Sequence, residues 1–420
     1  MSRDEDLKKY WCLYPFDGFT VDPTGKAQPC PSWTDHKGHI LEDMRTSKKT
    51  ASEIFNTGRL AEIRKQMANG QRVASCSSCW HNEEEGLKSR RIRKIQGKLK
   101  VNSLPDNFAQ SYKPKLKHIE LNFSNSCNLA CVMCNRTHSS GWYQQEKSMP
   151  LELKDKLKMM YNLIHTPLDT FKSFVLSQDF VDSIIDNIKE YESVMIKGGE
   201  PLFDKRCVNF LDRISKINPY VKVIIVTNVT MLTPKMLEIL KRFNDIQINL
   251  SIDGIGETYE WVRGYSWEKI NMNFISLMDQ ASKHMEVDIN VTLSIFNIHV
   301  VPDMLDYFSK FKTIPGKYLM SFHLVYEPWM TLNLGGEQVL KDFLTNTEPK
   351  MKTYVNADTM TTTQSDIDNI ITYMKTGGFK TNLAPEKHKQ LAREYINWMN
   401  KVRGKNIQDI SPYVKRLLIN

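Results

Sequence analysis

All of the eight cysteines except Cys207 fall into two groups whose spacing suits metal chemistry. Cys127, Cys131 and Cys134 form C-x3-C-x2-C within Phe123-Ser-Asn-Ser-Cys-Asn-Leu-Ala-Cys-Val-Met-Cys-Asn135. Three thiolates so close together can wrap one soft metal centre. Iron–sulfur cubanes normally take four cysteines. With three local ones, one iron of a [4Fe–4S] cluster stays open for a small ligand. The spacing also admits a zinc site that borrows a further ligand such as His138, although zinc ribbons favour paired C-x2-C knuckles. Cys12, Cys30, Cys76 and Cys79 form the second group, C-x17-C followed at a distance by C-x2-C. Four thiolates there suit structural zinc or an iron–sulfur cluster equally well. Cys207 reads as a buried helix residue. No Ser-His-Asp or P-loop pattern competes.

The elements that must position the first group have a regular rhythm. Between residues 115 and 330, β-branched runs at His118–Phe123, Ser193–Lys197, Val221–Thr227, Ile246–Ile252, Glu286–Ile295 and Leu319–Tyr326 alternate with helical patterns. The helices expected are Phe180–Tyr191, one capped by Thr233 with Pro234 at its first position, and Trp267–Met285. Strands alternating with helices mean a mostly parallel sheet. Six units predict a partial or complete βα barrel, with chemistry at the C-terminal strand ends. The C-x3-C-x2-C loop follows the first strand directly.

The flanks differ. In residues 1–110, Asp22-Pro-Thr-Gly25 reads as a turn between two short strands, and Ser52–Ala68 as one helix stopped by Asn69-Gly70. Lys88 to Lys100 carries seven Lys/Arg and reads as a solvated helix or linker, with an anionic partner as the other reading. Residues 335–420 read as helices broken at Gly377-Gly378 and Pro385, with Tyr395, Ile396 and Trp398 packed on the barrel.

The 420 residues allow two or three domains. A chain with 41% apolar and 25% charged residues is neither disordered nor fibrous. Its net charge, +9, permits an anionic partner without demanding one. No run of 18 apolar residues predicts a membrane span, and no secretory signal opens the sequence. A cytoplasmic protein is expected, in which cysteines serve metals or catalysis rather than disulfides.

The cysteine loop after the first strand resembles the signature of the radical S-adenosylmethionine (radical SAM) enzymes. So does Lys197-Gly-Gly-Glu-Pro201 after the second strand. The resemblance implies an α/β fold, a partial (βα)6 barrel of the radical SAM type. A small cysteine-rich α+β module precedes that barrel and a helical region follows it. It divides the chain into an auxiliary-cluster module and linker (1–110), the core barrel (111–332) and the helical region (333–420). It implies that Cys127, Cys131 and Cys134 bind a [4Fe–4S] cluster whose open iron is chelated by S-adenosyl-L-methionine. Gly198, Gly199, Glu200 and Pro201 would receive the cofactor's ammonium. Met133 stands where the family usually has an aromatic residue and would pack on the adenine. Asn228 would help line the site. Ser251 and Asp253 would meet the ribose, and Arg263 the cofactor carboxylate. Asn290 and Thr292 are candidates for the pocket wall.

The surroundings of Cys12, Cys30, Cys76 and Cys79 resemble a twitch or SPASM-type module, which implies a second [4Fe–4S] cluster, with zinc as the alternative. Here the module precedes the barrel, whereas in well-known relatives it follows. The implied function is reductive cleavage of S-adenosylmethionine to a 5′-deoxyadenosyl radical that abstracts hydrogen from a substrate. A peptide or protein side chain is the leading substrate class. A small sugar, alcohol or nucleotide is the alternative, and a non-catalytic iron–sulfur redox or sensor protein is the reading from another class. A flavodoxin or ferredoxin is the expected reductant. Neither nucleic acid nor a membrane is an expected partner. No residue is singled out as a catalytic hydrogen donor.

Overall fold

The computed structural model describes residues 9–34, 40–84, 86–99, 108–164, 174–311, 318–376 and 385–419. Six consecutive strands form its centre: β4 (His118–Asn122), β5 (Ser193–Lys197), β6 (Lys222–Thr227), β7 (Ile246–Ser251), β8 (Met285–Leu293) and β9 (Tyr318–Leu324). Each pairs in parallel with the next. Helices cross between most of them, so this is the expected partial βα barrel. Alternation explains it: in β6, Val223 and Ile225 are buried toward the helices, while Lys222, Ile224 and Val226 are half-buried on the other face. Register carries that inner face across the barrel, through Met195–Ile224 to Ile224–Gln247 and through Asn290–Ser321 to Thr292–His323.

The N-terminal module is joined to this sheet. Its hairpin strands β1 (Gly18–Val21) and β2 (Lys26–Gln28) flank the predicted turn, and β1 runs parallel to β4. β3 (Glu42–Asp43) pairs with β2, and at the other edge β10 (Met360–Thr361) pairs with β9, so the sheet has ten strands among the described residues.

Three helix expectations need correction. Ser52–Ala68 is two helices, Ala51–Phe55 and Gly58–Ala68, because Thr57 takes the Leu60 N–H on its side chain and starts a new one. The helix from Trp267 stops at Gln280, and Met285 opens β8. The helix at Phe180 runs Gln178–Asp186, followed by a 3-10 turn to Glu190. Thr233 caps Pro234–Leu240 as predicted, accepting from the Met236 N–H at 3.3 Å. The basic stretch forms a helix, Arg90–Leu99, that is packed on one face and solvated on the other: Arg91 and Ile95 are buried, while Arg90, Arg93 and Lys98 are exposed. Pro385 opens the long helix Pro385–Arg403. Gly377-Gly378 and Lys100 lie outside the described residues. Among the described residues, no helix is long and apolar enough to cross a membrane.

Candidate active site

The loop after β4 is held by its backbone. The Cys127 N–H donates to Ser140 Oγ at 3.0 Å, and Trp142 Nε1 donates to the Cys131 carbonyl at 3.0 Å. Val132 N donates to the Val262 carbonyl at 2.9 Å. The long helix Pro385–Arg403 adds two clamps. Tyr395 donates its hydroxyl to the Val132 carbonyl at 2.8 Å, and Arg403 Nη2 donates to the Ala130 carbonyl at 2.6 Å. Trp142, Tyr395 and Arg403 thus shape the loop. Sequence reading placed Tyr395 on the barrel but missed all three of these contacts, which span 11, 263 and 273 positions.

The three thiols meet donors as well as each other. Arg263 Nη1 lies 3.5 Å from Cys131 Sγ, and Asn228 Nδ2 lies 3.9 Å from Cys127 Sγ. Cys134 shares a hydrogen bond with Cys131, which draws the Cys131 thiol down, helped by Arg263 against burial, and pushes Cys134 up. Burial pushes Cys127 up to about 11.

The Gly-Gly-Glu-Pro segment sits directly beside this loop. Gly198 and Gly199 both have positive φ, 86° and 54°. A side chain at Gly198 would run into the Asn122 amide oxygen, and one at Gly199 into the Ser126 carbonyl. Two glycines are therefore demanded both by conformation and by close approach. The Glu200 N–H donates to the Ser126 carbonyl at 2.8 Å. Its buried carboxylate accepts from Thr227 Oγ1 at 2.7 Å, Asn228 N at 2.6 Å and Leu202 N at 3.0 Å. Burial pushes this acid up to about 7, against those three hydrogen bonds. Val229 follows with φ 66°, unusual for a β-branched residue, and its N–H donates to Thr227 Oγ1 at 3.1 Å. The strained turn aims the Asn228 N–H at Glu200. Gly199→Ala is expected to destabilise the protein by at least about 2 kcal/mol, measured by urea denaturation.

Asp253 and Arg263 answer each other. Asp253 is fully buried; its Oδ2 lies 2.5 Å from Arg263 Nε, and its Oδ1 accepts from Thr292 N at 2.6 Å. Burial opposes the charge on Arg263, but Asp253 and Cys131 hold it protonated. Within this structure Asp253 orients the arginine that reaches the cysteine loop. Ser251 is half-buried at the end of β7, and Asn290 accepts from Ser321 Oγ at 2.7 Å. Beside Met133, a cavity of ≈ 80 Å³ opens between Trp142, Trp329, Met330 and Tyr395; of the residues expected to bind the cofactor, Met133 alone lines it. Pro201 is buried next to Glu200.

In the N-terminal module Cys12 and Cys79 are buried and Cys30 and Cys76 half-buried. Burial pushes Cys12 up to about 12 and Cys30 and Cys76 further. Each of these three is raised again by other cysteines of the set, so the thiols lie near enough to feel one another's charge. Among the described residues, no three His, Cys, Asp or Glu side chains already surround one point as a single metal ion would require. A zinc centre would draw its sulfurs to about 2.3 Å from one ion, whereas a cubane spreads them over several irons.

A parallel barrel with three thiols at its first strand end, and a glycine cradle closing on them from its second, defines a protein built around a thiolate-bound cofactor. Comparison with known proteins names the family. Residues 121–307 match the radical SAM superfamily, and residues 12–80 match an iron–sulfur cluster-binding domain of SPASM type. The chain belongs to the radical SAM superfamily and carries a SPASM-like module ahead of its barrel. Those domains imply a [4Fe–4S] cluster with S-adenosylmethionine, and auxiliary iron–sulfur binding. The residues present fit both: soft thiol donors, N–H groups aimed at sulfur, and a cradle that any side chain would fill.

A curated relative, Fe-coproporphyrin III synthase of Methanosarcina barkeri (strain Fusaro / DSM 804), is 24% identical over 225 residues. The match covers 53% of this chain and 48% of the relative, so the chain spans about half the relative's length. Among solved structures, SuiB of Streptococcus suis is 13% identical with TM-score 0.36, over 88% of this chain and 76% of SuiB. The same protein bound to precursor peptide SuiA gives 14% and 0.33, over 70% and 64%.

Proposed function

We propose that this chain is a radical SAM enzyme that cleaves S-adenosylmethionine reductively and takes a hydrogen atom from a substrate held in the barrel. One observation carries the reading: the loop of Cys127, Cys131 and Cys134 is bonded through Ser126 and Asn228 to the Gly-Gly-Glu-Pro cradle, so thiols and cradle form one site. A mere redox carrier has no use for such a cradle.

The cluster and its cofactor, when bound, supply one-electron cleavage of a carbon–sulfur bond and a 5′-deoxyadenosyl radical. The chain's residues position them. Cys127, Cys131 and Cys134 hold the iron. Arg263 and Asn228 direct N–H groups at two of those sulfurs, which favours the reduced state. Gly198 and Gly199 let the cofactor approach the backbone, and Glu200 receives its ammonium. Asp253 holds Arg263, while Met133 and Ser251 form the walls for base and ribose. Cys12, Cys30, Cys76 and Cys79 hold the auxiliary cluster. Thiol-bound iron of this kind fits a reducing cytoplasm and a flavodoxin- or ferredoxin-like electron donor.

For substrate we assign a peptide or protein side chain. The polar inner face of the barrel suits a polar guest: Asn290, Thr292, Ser321 and His323 line it, and Lys197 pairs with Glu120 there. A second reading, a small carboxylate-bearing molecule, is favoured by the positive charges of Arg90 and Arg93, both of which face His323. The deciding test is anaerobic reconstitution followed by a dithionite assay for 5′-deoxyadenosine. Its formation is expected. Full clusters and bound cofactor without any 5′-deoxyadenosine would return the chain to the class of iron–sulfur carriers.

A further inference from the structure

The basic helix Arg90–Leu99 holds none of the ligands named above, and one face of it is buried at Arg91 and Ile95, while Lys94 is half-buried and Arg90 and Arg93 are exposed. Arg91 is 4% exposed. Its Nη1 donates to the Trp11 carbonyl at 3.1 Å, beside Cys12, and its guanidinium lies 5.1 Å from the Trp80 ring, beside Cys79. Arg90 Nε donates to Ser32 Oγ at 2.9 Å, two residues after Cys30. The Lys94 ammonium lies 5.1 Å from the Tyr14 ring, two residues after Cys12. Positions i, i+1 and i+4 of one helix therefore bring three cations to the cysteine set, each anchored next to a different part of it. Arg91 and Lys94 attract charge on Cys12, Arg90 on Cys30, and Arg91 on Cys76. The acids nearby are Glu83, which pairs with Arg91, Glu120, which faces Arg90, and Asp17, which faces Lys94.

Arg93 is the informative exception. It lies on the same helix but faces His323, Tyr326 and Asp366, and no cysteine. A helix that served only to bind an outside polyanion would have no reason to bury Arg91 against Trp11 and Trp80.

We propose that Arg90, Arg91 and Lys94 form a cationic shell that offsets the negative charge of an iron–sulfur cluster on Cys12, Cys30, Cys76 and Cys79 and raises its reduction potential. A cluster with four thiolates is a net anion and gains another negative charge on reduction. Cations fixed beside a cluster stabilise the reduced form more than the oxidised one. The shell thus suits a cluster that accepts an electron. This inference rests on the reading of that site as iron–sulfur.

The test uses the full chain with Cys127, Cys131 and Cys134 replaced by alanine, so that only auxiliary iron reports. Its midpoint potential is read by an anaerobic titration followed by electron paramagnetic resonance. Arg90→Gln with Lys94→Gln is expected to make reduction about tenfold harder per lost cation, about 59 mV each for a one-electron couple. Arg93→Gln is the control and should leave the potential in place. Arg91→Lys should keep it, since the charge remains. An unchanged potential in the double variant, with iron retained, overturns the shell. So does an equal shift from Arg93→Gln. A wild-type site that holds zinc or no metal would instead defeat the iron–sulfur reading beneath it.

Discussion

Replacing Cys127, Cys131 and Cys134 together by alanine is expected to abolish 5′-deoxyadenosine formation and to remove about half of the bound iron, from about eight to about four per chain. The argument depends on what holds the loop. Its backbone is fixed by Ser140, Trp142, Val262, Tyr395 and Arg403, none of which bonds through a thiol in doing so. The substitutions therefore remove the ligands and leave their scaffold. Cys12, Cys30, Cys76 and Cys79 belong to a separate module on the other side of β4 and keep their own iron. Iron analysis and product chromatography on one preparation check both halves. Loss of all iron would mean that the two sites load or fold as one. Residual 5′-deoxyadenosine at the wild-type rate would remove these cysteines from the chemistry.

Much of this architecture was legible in the residues, and the rest was hidden for physical reasons. β5 was expected at Ser193–Lys197 and lies there, because alternation of buried and half-buried positions is a local pattern. The cysteine loop and the glycine cradle were legible because their chemistry needs particular residue types at fixed spacing. What could not be read was who holds them. Tyr395 and Arg403 reach the loop from the far end of the chain, and no local pattern announces a tertiary hydrogen bond. Asp253 and Arg263 were each expected to touch the cofactor. Nothing in their separation shows that a buried acid and a buried guanidinium will first pair with each other. The buried face of the basic helix, at Arg91 and Ile95, was hidden for a related reason: composition counts charges but is blind to which side of a helix the protein covers. The split at Thr57 was missed because an N-cap threonine inside an apolar periodicity looks like an ordinary helix residue.

Glu200→Gln should weaken S-adenosylmethionine binding by about tenfold or more and leave iron content unchanged. It should also remove a pH dependence that the wild type is expected to show. Burial holds the Glu200 acid at about 7, although Thr227, Asn228 and Leu202 donate to it. An ammonium group binds the carboxylate, not the acid. Above pH 7 the site is charged and affinity is full. Below it, a proton must leave before the cofactor binds, so the dissociation constant should rise about tenfold per pH unit. The stability of the unliganded protein should run the other way. The folded-state value lies above that of an unfolded glutamate, so this group's contribution to stability is present at low pH and is lost as pH rises toward and through 7. Glutamine carries no charge and should flatten both trends between pH 6 and 8. Anaerobic equilibrium dialysis against labelled cofactor, with urea denaturation of the unliganded protein, measures the two slopes. If wild-type affinity is flat across that range and Glu200→Gln binds as tightly, Glu200 serves only to tie β5 to the end of β6. The cofactor's ammonium must then be met elsewhere in the cradle.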